Sequence, residues 1–437
     1  MARVDAATGP AWPGRPRATA SRVRADAAVA VCCANVAAVV FLQRIVVPLG
    51  GERAVSCLLP LAWLSVAYLL RAGLAAVDPG ALLACLVFFA AVLASQILGG
   101  TDFSTTSLAL LLAIYALLPV KIGLSRHGYR RVLRFYQSCL VLVALATVGQ
   151  YASQLLGLGM PVLEGVVPEV FIAQNFVYLQ EIVWQSGIYK PNGIVMLEAS
   201  FLSQFIGLAL AIEFWIFRRP AMVLLFGCML VLTFSGTGMS LAAVALAAMV
   251  WKRGWDRNAS VLAGAVVCAV LVLLVTGWFQ AIGGRVAEFS DRDASASVRF
   301  VAPFVRVHET LAAGDLVALF WGAGAGFIDR EIGFAWLPAV KMWVEYGLVA
   351  SVAYWAFLAV LARPAPSATL AFVLALWYLL FGGGALLQPP VVFGCYFLGI
   401  GYKMALAAEP VLQPYAKARA DSPPRPFRAA RRVVEDA

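Results

Sequence analysis

Charge is scarce in this sequence. Only 13% of its 437 residues are Asp, Glu, Lys or Arg, while 62% are hydrophobic. A soluble domain carries about twice that charge, so a soluble globular enzyme is excluded. Histidine is almost absent, with two residues in the chain. The eight cysteines (Cys32, Cys33, Cys57, Cys85, Cys139, Cys228, Cys268 and Cys395) fall within apolar runs and show no CxxC spacing. That pattern fits neither a zinc site nor a disulfide framework, and the sequence implies no metal and no cofactor. No internal repeat is evident, and no polar stretch is long enough to fold as a soluble domain.

What the chain has instead is long apolar runs, giving a mean hydropathy of +0.86. About 20 apolar residues cross the ~30 Å of a bilayer core. Such runs recur about twelve times, at 27–47, 54–71, 80–98, 106–124, 134–158, 194–217, 220–234, 238–251, 259–279, 338–362, 367–387 and 389–407. The expected fold class is an all-α polytopic membrane protein of about twelve transmembrane helices. The first run continues past Val40 without a small-x-small cleavage site, so it reads as an uncleaved span. Residues 1–26 and 408–437 are rich in Arg, Pro and Ala and are expected to be disordered tails flanking a membrane domain over 27–407.

The net charge of +10 alone would fit a nucleic-acid binder, but its distribution argues for topology. With the N-terminus in the cytoplasm, the inner loops hold Arg71; Lys121, Arg126, Arg130 and Arg131; Arg218 and Arg219; Lys252, Arg253 and Arg257; and Arg363. The long outer loops, 159–193 and 280–337, lean acidic. The alternation holds along the chain and puts both termini inside.

Four stretches carry candidate chemistry. In Tyr189-Lys-Pro-Asn-Gly-Ile-Val-Met-Leu-Glu-Ala-Ser200, Lys190 sits at the membrane surface and Glu198 about one turn inside the sixth span. A carboxylate at that depth costs ~2.5–3.5 kcal/mol and normally faces a partner or a water-filled cavity. The second outer loop carries Arg285, Arg292, Arg299 and Arg306 at intervals of seven residues, together with His308. Seven residues is nearly two helical turns, so helical portions put these guanidinium groups close to one face, suited to phosphate or pyrophosphate. Asp291 or Asp293 can cap an amphipathic helix over 294–313 that Pro303 kinks or restarts. An interfacial helix that meets lipid headgroups would look the same. Trp321-Gly-Ala-Gly-Ala-Gly-Phe327 imitates a phosphate loop but lacks the flanking strand and helix, so a tight turn is expected. Lys341 and Glu345, one turn apart, can neutralise each other. His127 lies in a basic inner loop and Asn258-Ala-Ser260 in a cytoplasmic one, and neither carries a site.

In this order, the blocks resemble the superfamily of Wzy-type polysaccharide polymerases and O-antigen ligases. They are Lys190-Pro-Asn-Gly193 with Glu198-Ala-Ser200, Phe234-Ser-Gly-Thr-Gly238, Asp293-Ala-Ser295 to Arg299, Gly322 to Gly326, and Glu345-Tyr-Gly347. The match covers roughly residues 185–350. Ala199 stands where the family usually has Pro, and Phe334-Ala-Trp-Leu-Pro338 lacks the ligase branch's histidine, which favours the polymerase branch. The resemblance implies metal-independent joining of glycans carried on polyprenyl pyrophosphate, at the outer face of the bacterial plasma membrane. Its expected partners are the lipid-linked donor and acceptor, membrane lipid and other polysaccharide-assembly proteins such as a chain-length regulator or flippase. Glu198, Arg299 and His308 would be catalytic; Lys190, Arg285, Arg292 and Arg306 would hold pyrophosphate. The alternatives are an O-antigen ligase, a lipid-linked sugar flippase or transporter, or a scaffold without activity. A major-facilitator carrier is disfavoured, because the loop after the second span reads Arg71-Ala-Gly-Leu-Ala-Ala-Val-Asp-Pro-Gly80, without that family's basic signature.

Overall fold

A computed structural model describes residues 16–50, 53–99, 102–174, 176–182, 186–275, 297, 301–331, 336–382 and 384–404. These are mostly helical. In chain order the helices are α1 (Pro16–Phe41), α2 (Leu58–Arg71), α3 (Pro79–Leu98), α4 (Thr105–Tyr115), α5 (Arg126–Leu155), α6 (Ala199–Ile212), α7 (Pro220–Leu232), α8 (Gly236–Arg253) and α9 (Arg257–Val275). They continue with α10 (Ala302–Ala312), α11 (Leu316–Trp321), α12 (Phe327–Glu331), α13 (Pro338–Ala362), α14 (Ala368–Leu376) and α15 (Pro389–Cys395). Wider π-helical turns extend α6 over Glu213–Phe217, α14 over Trp377–Phe381 and α15 over Tyr396–Ile400.

Among the described residues, five helical segments are long and apolar enough to cross a bilayer: Arg24–Phe41, Pro79–Leu98, Arg126–Leu155, Ala199–Phe217 and Pro338–Ala362. The protein is a helical, membrane-embedded protein. A helix overlaps each of the other expected ranges too, but the helices are often shorter than the apolar runs. In the range 106–124, α4 stops at Tyr115 and Val120–Leu124 forms strand β4. Pro119 accounts for the stop: it has no N–H to donate to Tyr115 O four residues earlier, and that carbonyl takes the Leu118 N–H at 3.1 Å instead. In the range 27–47 the helix ends at Phe41, and Val46–Gly50 is strand β1. The run 194–217 becomes helical only at Ala199, whereas α5 begins earlier than expected, with Ser125 accepting from the Gly128 N–H.

Two small sheets gather the helix ends. Strand β1 pairs antiparallel with β2 (Arg53–Ser56), and Ile45 bridges to Ile172 in the first long loop. At the far end of α2, β3 (Ala75–Val77) pairs antiparallel with β4, and β5 (Tyr402–Met404) joins β4 in parallel. Lys121 on β4 is buried and donates to Leu361 O at 3.3 Å and Ile400 O at 2.7 Å, so one ammonium caps the ends of α13 and the π-turn after α15.

The core is built around α6. Every residue from Phe201 to Ile212 is buried, as expected of a helix that is apolar all round. It packs on α5, α7, α8 and α14. The crossing with α8 is close because both faces are small. Gly238 N–H donates to Ser203 Oγ at 3.1 Å, and a Cβ on Gly207 would lie 2.8 Å from Gly238 O. α3 packs along α13, which Gly347 interrupts at φ 76°.

Candidate functional site

The first long loop re-enters the helices through Tyr189-Lys-Pro-Asn-Gly-Ile194, and glutamines of α5 seat it. Gln154 Oε1 accepts from Tyr189 N–H at 2.7 Å. Gln150 Oε1 accepts from Asn192 N–H at 3.1 Å and Gly193 N–H at 2.8 Å, while its Nε2 donates to Asn192 Oδ1 at 3.0 Å. Asn192 Oδ1 also takes the Ile194 N–H at 2.9 Å. This bonding holds Gly193 and, unusually for a β-branched residue, Ile194 in left-handed conformations, at φ 65° and 69°. Lys190 is drawn under the surface, 3% exposed, with its N–H donating to Gln180 O at 2.7 Å.

The segment then delivers Glu198 to the mouth of α6. It was expected a turn inside the span; instead it is the residue that precedes the first helical turn, at φ −150°. It takes none of the helix's own N–H groups. Its Oε2 accepts from Ser200 Oγ at 2.9 Å and its Oε1 from Val177 N–H at 3.3 Å. A negative charge here meets the positive end of the helix dipole. One turn deeper lies a hydroxyl cluster. Ser203 Oγ donates to Ser200 O at 2.8 Å and lies 3.1 Å from Ser235 Oγ and 3.2 Å from Thr237 Oγ1. The blocks around Glu198 and around Ser235–Gly238 are thus neighbours in space.

Beside them lies a cation that sequence reasoning missed. Arg44 is wholly buried at the end of the α1 connection. Its guanidinium pairs with Glu164, donates to Ile194 O at 3.3 Å and lies 3.7 Å above the Tyr178 ring centre. Burial pushes the Tyr178 phenol above its ordinary pKa; Arg44 opposes this, while Glu164 and Glu198 reinforce it. Arg44 Nε, Glu164 Oε2 and Tyr178 OH are buried without a hydrogen-bond partner among the described residues. Its position within an expected span was a usable signal, since a cation inside an apolar run needs a partner.

The glycine-rich stretch and the Glu345-Tyr-Gly347 block also meet. Ala323 and Gly324 N–H donate to Val344 O at 2.8 Å and Glu345 O at 3.0 Å. A Cβ on Gly322 would lie 2.5 Å from Glu345 backbone, so the stretch is a tight turn against the α13 kink. Lys341 was expected to neutralise Glu345. It reaches that carboxylate only at 3.8 Å and binds both oxygens of Asp329 at 2.7 Å. Glu345 Oε1 instead accepts from Ile328 N–H at 3.1 Å, because α12 folds back over the start of α13.

Arg306 and His308 are exposed on α10, which holds Pro303 in its first turn. Arg306 pairs with Glu309 at 3.4 Å and lines a cleft of about 470 Å³ with Asp315, Phe327 and Trp343. Arg285, Arg292 and Arg299, with the expected cap at Asp291 or Asp293, lie outside the described residues. No family model, curated protein or solved structure matches the chain.

Proposed function

We propose that this protein polymerises oligosaccharide repeat units carried on polyprenyl pyrophosphate into a surface or secreted polysaccharide. In this reading it crosses the bacterial plasma membrane about twelve times, with both tails cytoplasmic and the mouth of α6 at the outer face. It belongs to the Wzy-type polymerase and O-antigen ligase superfamily. The observation that carries the reading is Glu198: a carboxylate at a helix N-terminus, hydrogen-bonded to Ser200, beside a re-entrant loop with buried Lys190.

An acceptor sugar hydroxyl gives its proton to Glu198 as its oxygen attacks the donor's anomeric carbon. The bond from that carbon to the pyrophosphate oxygen breaks, and the lipid pyrophosphate leaves with the electron pair. Arg299, with Arg285, Arg292, Arg306 and Lys190, offsets the growing negative charge. His308 is the less favoured proton acceptor.

The test is a deletion strain complemented with Glu198→Gln or Arg299→Gln. The expected result is protein in the membrane, no polymer, and single lipid-linked units accumulating on the outer face. Wild-type polymer from both variants overturns the reading. Units trapped at the inner face indicate a flippase, and loss of only the final transfer to lipid A core indicates a ligase.

A further inference from the structure

At the opposite end of α6 from Glu198, positive charge is gathered around two aromatic rings. Phe217 closes the π-turn that ends α6. The guanidinium carbons of Arg130, Arg134 and Arg219 lie 5.8, 5.6 and 5.1 Å from its ring centre. All three guanidinium groups therefore share one ring. Close by, Lys252 Nζ and the Arg253 guanidinium lie 5.8 and 4.8 Å from the ring of Trp215, and Arg218 adds positive charge beside Arg253.

Each acid at this end already has a partner, and one of those partners is Arg219. Glu213 is wholly buried and bound to Arg219. Asp26 pairs with Arg131, and Asp256 caps α9 through the N–H groups of Asn258 and Ala259. Arg130 and Arg134 therefore stand exposed without a carboxylate among these groups. The indole N–H of Trp215, 8% exposed, finds no acceptor among the described residues. Trp251 and Trp255 flank the basic pair at 90% and 63% exposure, as tryptophans do at the headgroup level of a bilayer.

We propose that this end of the protein holds the phosphate headgroup of an anionic phospholipid, gripped by Arg130 and Arg134 beside Phe217, with the Glu213-paired Arg219 flanking them and Lys252 and Arg253 extending the site. Guanidinium groups suit phosphate oxygens. The aromatic rings hold the cationic heads by cation–π contact, and the surrounding helices meet acyl chains. A basic loop that merely obeys the topology rule would spread its charges; here they converge. The site is independent of the glycan chemistry above.

The test uses the full-length protein in neutral detergent, titrated with phosphatidylglycerol or phosphatidylcholine. Melting temperature and lipid retention in native mass spectra are the readouts. Phosphatidylglycerol should stabilise the wild type and phosphatidylcholine should not. In Arg130→Gln/Arg134→Gln, the half-saturating phosphatidylglycerol concentration should rise at least about ten-fold. Arg71→Gln/Arg363→Gln, which removes the same charge from other inner loops, should leave it unchanged. An equal response of the two double variants, or no effect of phosphatidylglycerol, overturns the proposal. So does inorganic phosphate at millimolar concentration if it reproduces the stabilisation, because the site would then serve free anions. If the double variant fails to fold, Arg134→Gln alone gives the same reading.

Discussion

Arg44 and Glu164 stand 120 residues apart in the chain and meet as an ion pair whose arginine is wholly buried. The pair fastens the first long loop to the end of α1. Through Ile194 O it also steadies the left-handed turn that leads to Glu198. Removing one partner of a buried pair strands the other charge. Arg44→Met should therefore lower stability by about 3 kcal/mol. Arg44→Met/Glu164→Gln should recover part of that loss, since it leaves no lone charge. Thermal unfolding in detergent, followed by tryptophan fluorescence, checks both; a double variant weaker than the single one contradicts the account.

Glu198→Gln separates chemistry from architecture. The amide oxygen can still accept from Val177 N–H, and the Ser200 hydroxyl can turn to accept from the new NH2, so the melting temperature should stay within about a degree or two of wild type. Glycan polymerisation should fall ~10²–10⁴-fold, the scale of a lost general base. Rates of polymer formation on lipid-linked acceptors would measure it. Near wild-type rates would remove Glu198 from the mechanism.

The helical, membrane-embedded class was legible because apolar runs dominate composition. The lengths of individual helices were not. Hydropathy does not distinguish α4 from the β4 strand that follows Pro119, since Val120 and Ile122 are as apolar as helix residues. The link between Glu198 and the Ser235–Gly238 turn was suggested only by block order; the contact itself depends on the crossing of α6 and α8. Arg44 escaped because a residue's partner 120 positions away is a tertiary fact. Asp329 escaped for a similar reason: periodicity pairs Lys341 with Glu345, and α12 folding back over α13 supplies the closer carboxylate.

The α6–α8 crossing depends on hydrogen at Gly207 and Gly238. A Cβ on Gly238 would overlap the Ser203 backbone, whereas one on Gly236, two residues earlier, meets nothing within 4 Å. Gly238→Ala should cost about 1–3 kcal/mol through overpacking. It should also disturb the Ser203–Ser235–Thr237 hydroxyls and so lower activity. Gly236→Ala should be neutral in both assays. Equal melting temperatures for the two variants would contradict the close crossing.

Lys121 makes stability depend on pH. Burial is the main cause that brings its ammonium down to about 8 from 10.5, partly opposed by Asp78. Below pH 8 the group is protonated in both folded and unfolded chains, and its contribution is flat. Between 8 and 10.5 the unfolded chain holds a proton that the folded chain has shed, so this residue's contribution to stability rises with pH, by up to ~1.4 kcal/mol per unit. Arginine stays charged throughout this range, so Lys121→Arg removes the dependence whatever its absolute stability. The difference in melting temperature, wild type minus Lys121→Arg, should be constant from pH 6 to about 7.5 and then climb towards pH 10. Parallel curves across that range would mean that Lys121 keeps its proton while capping Leu361 O and Ile400 O.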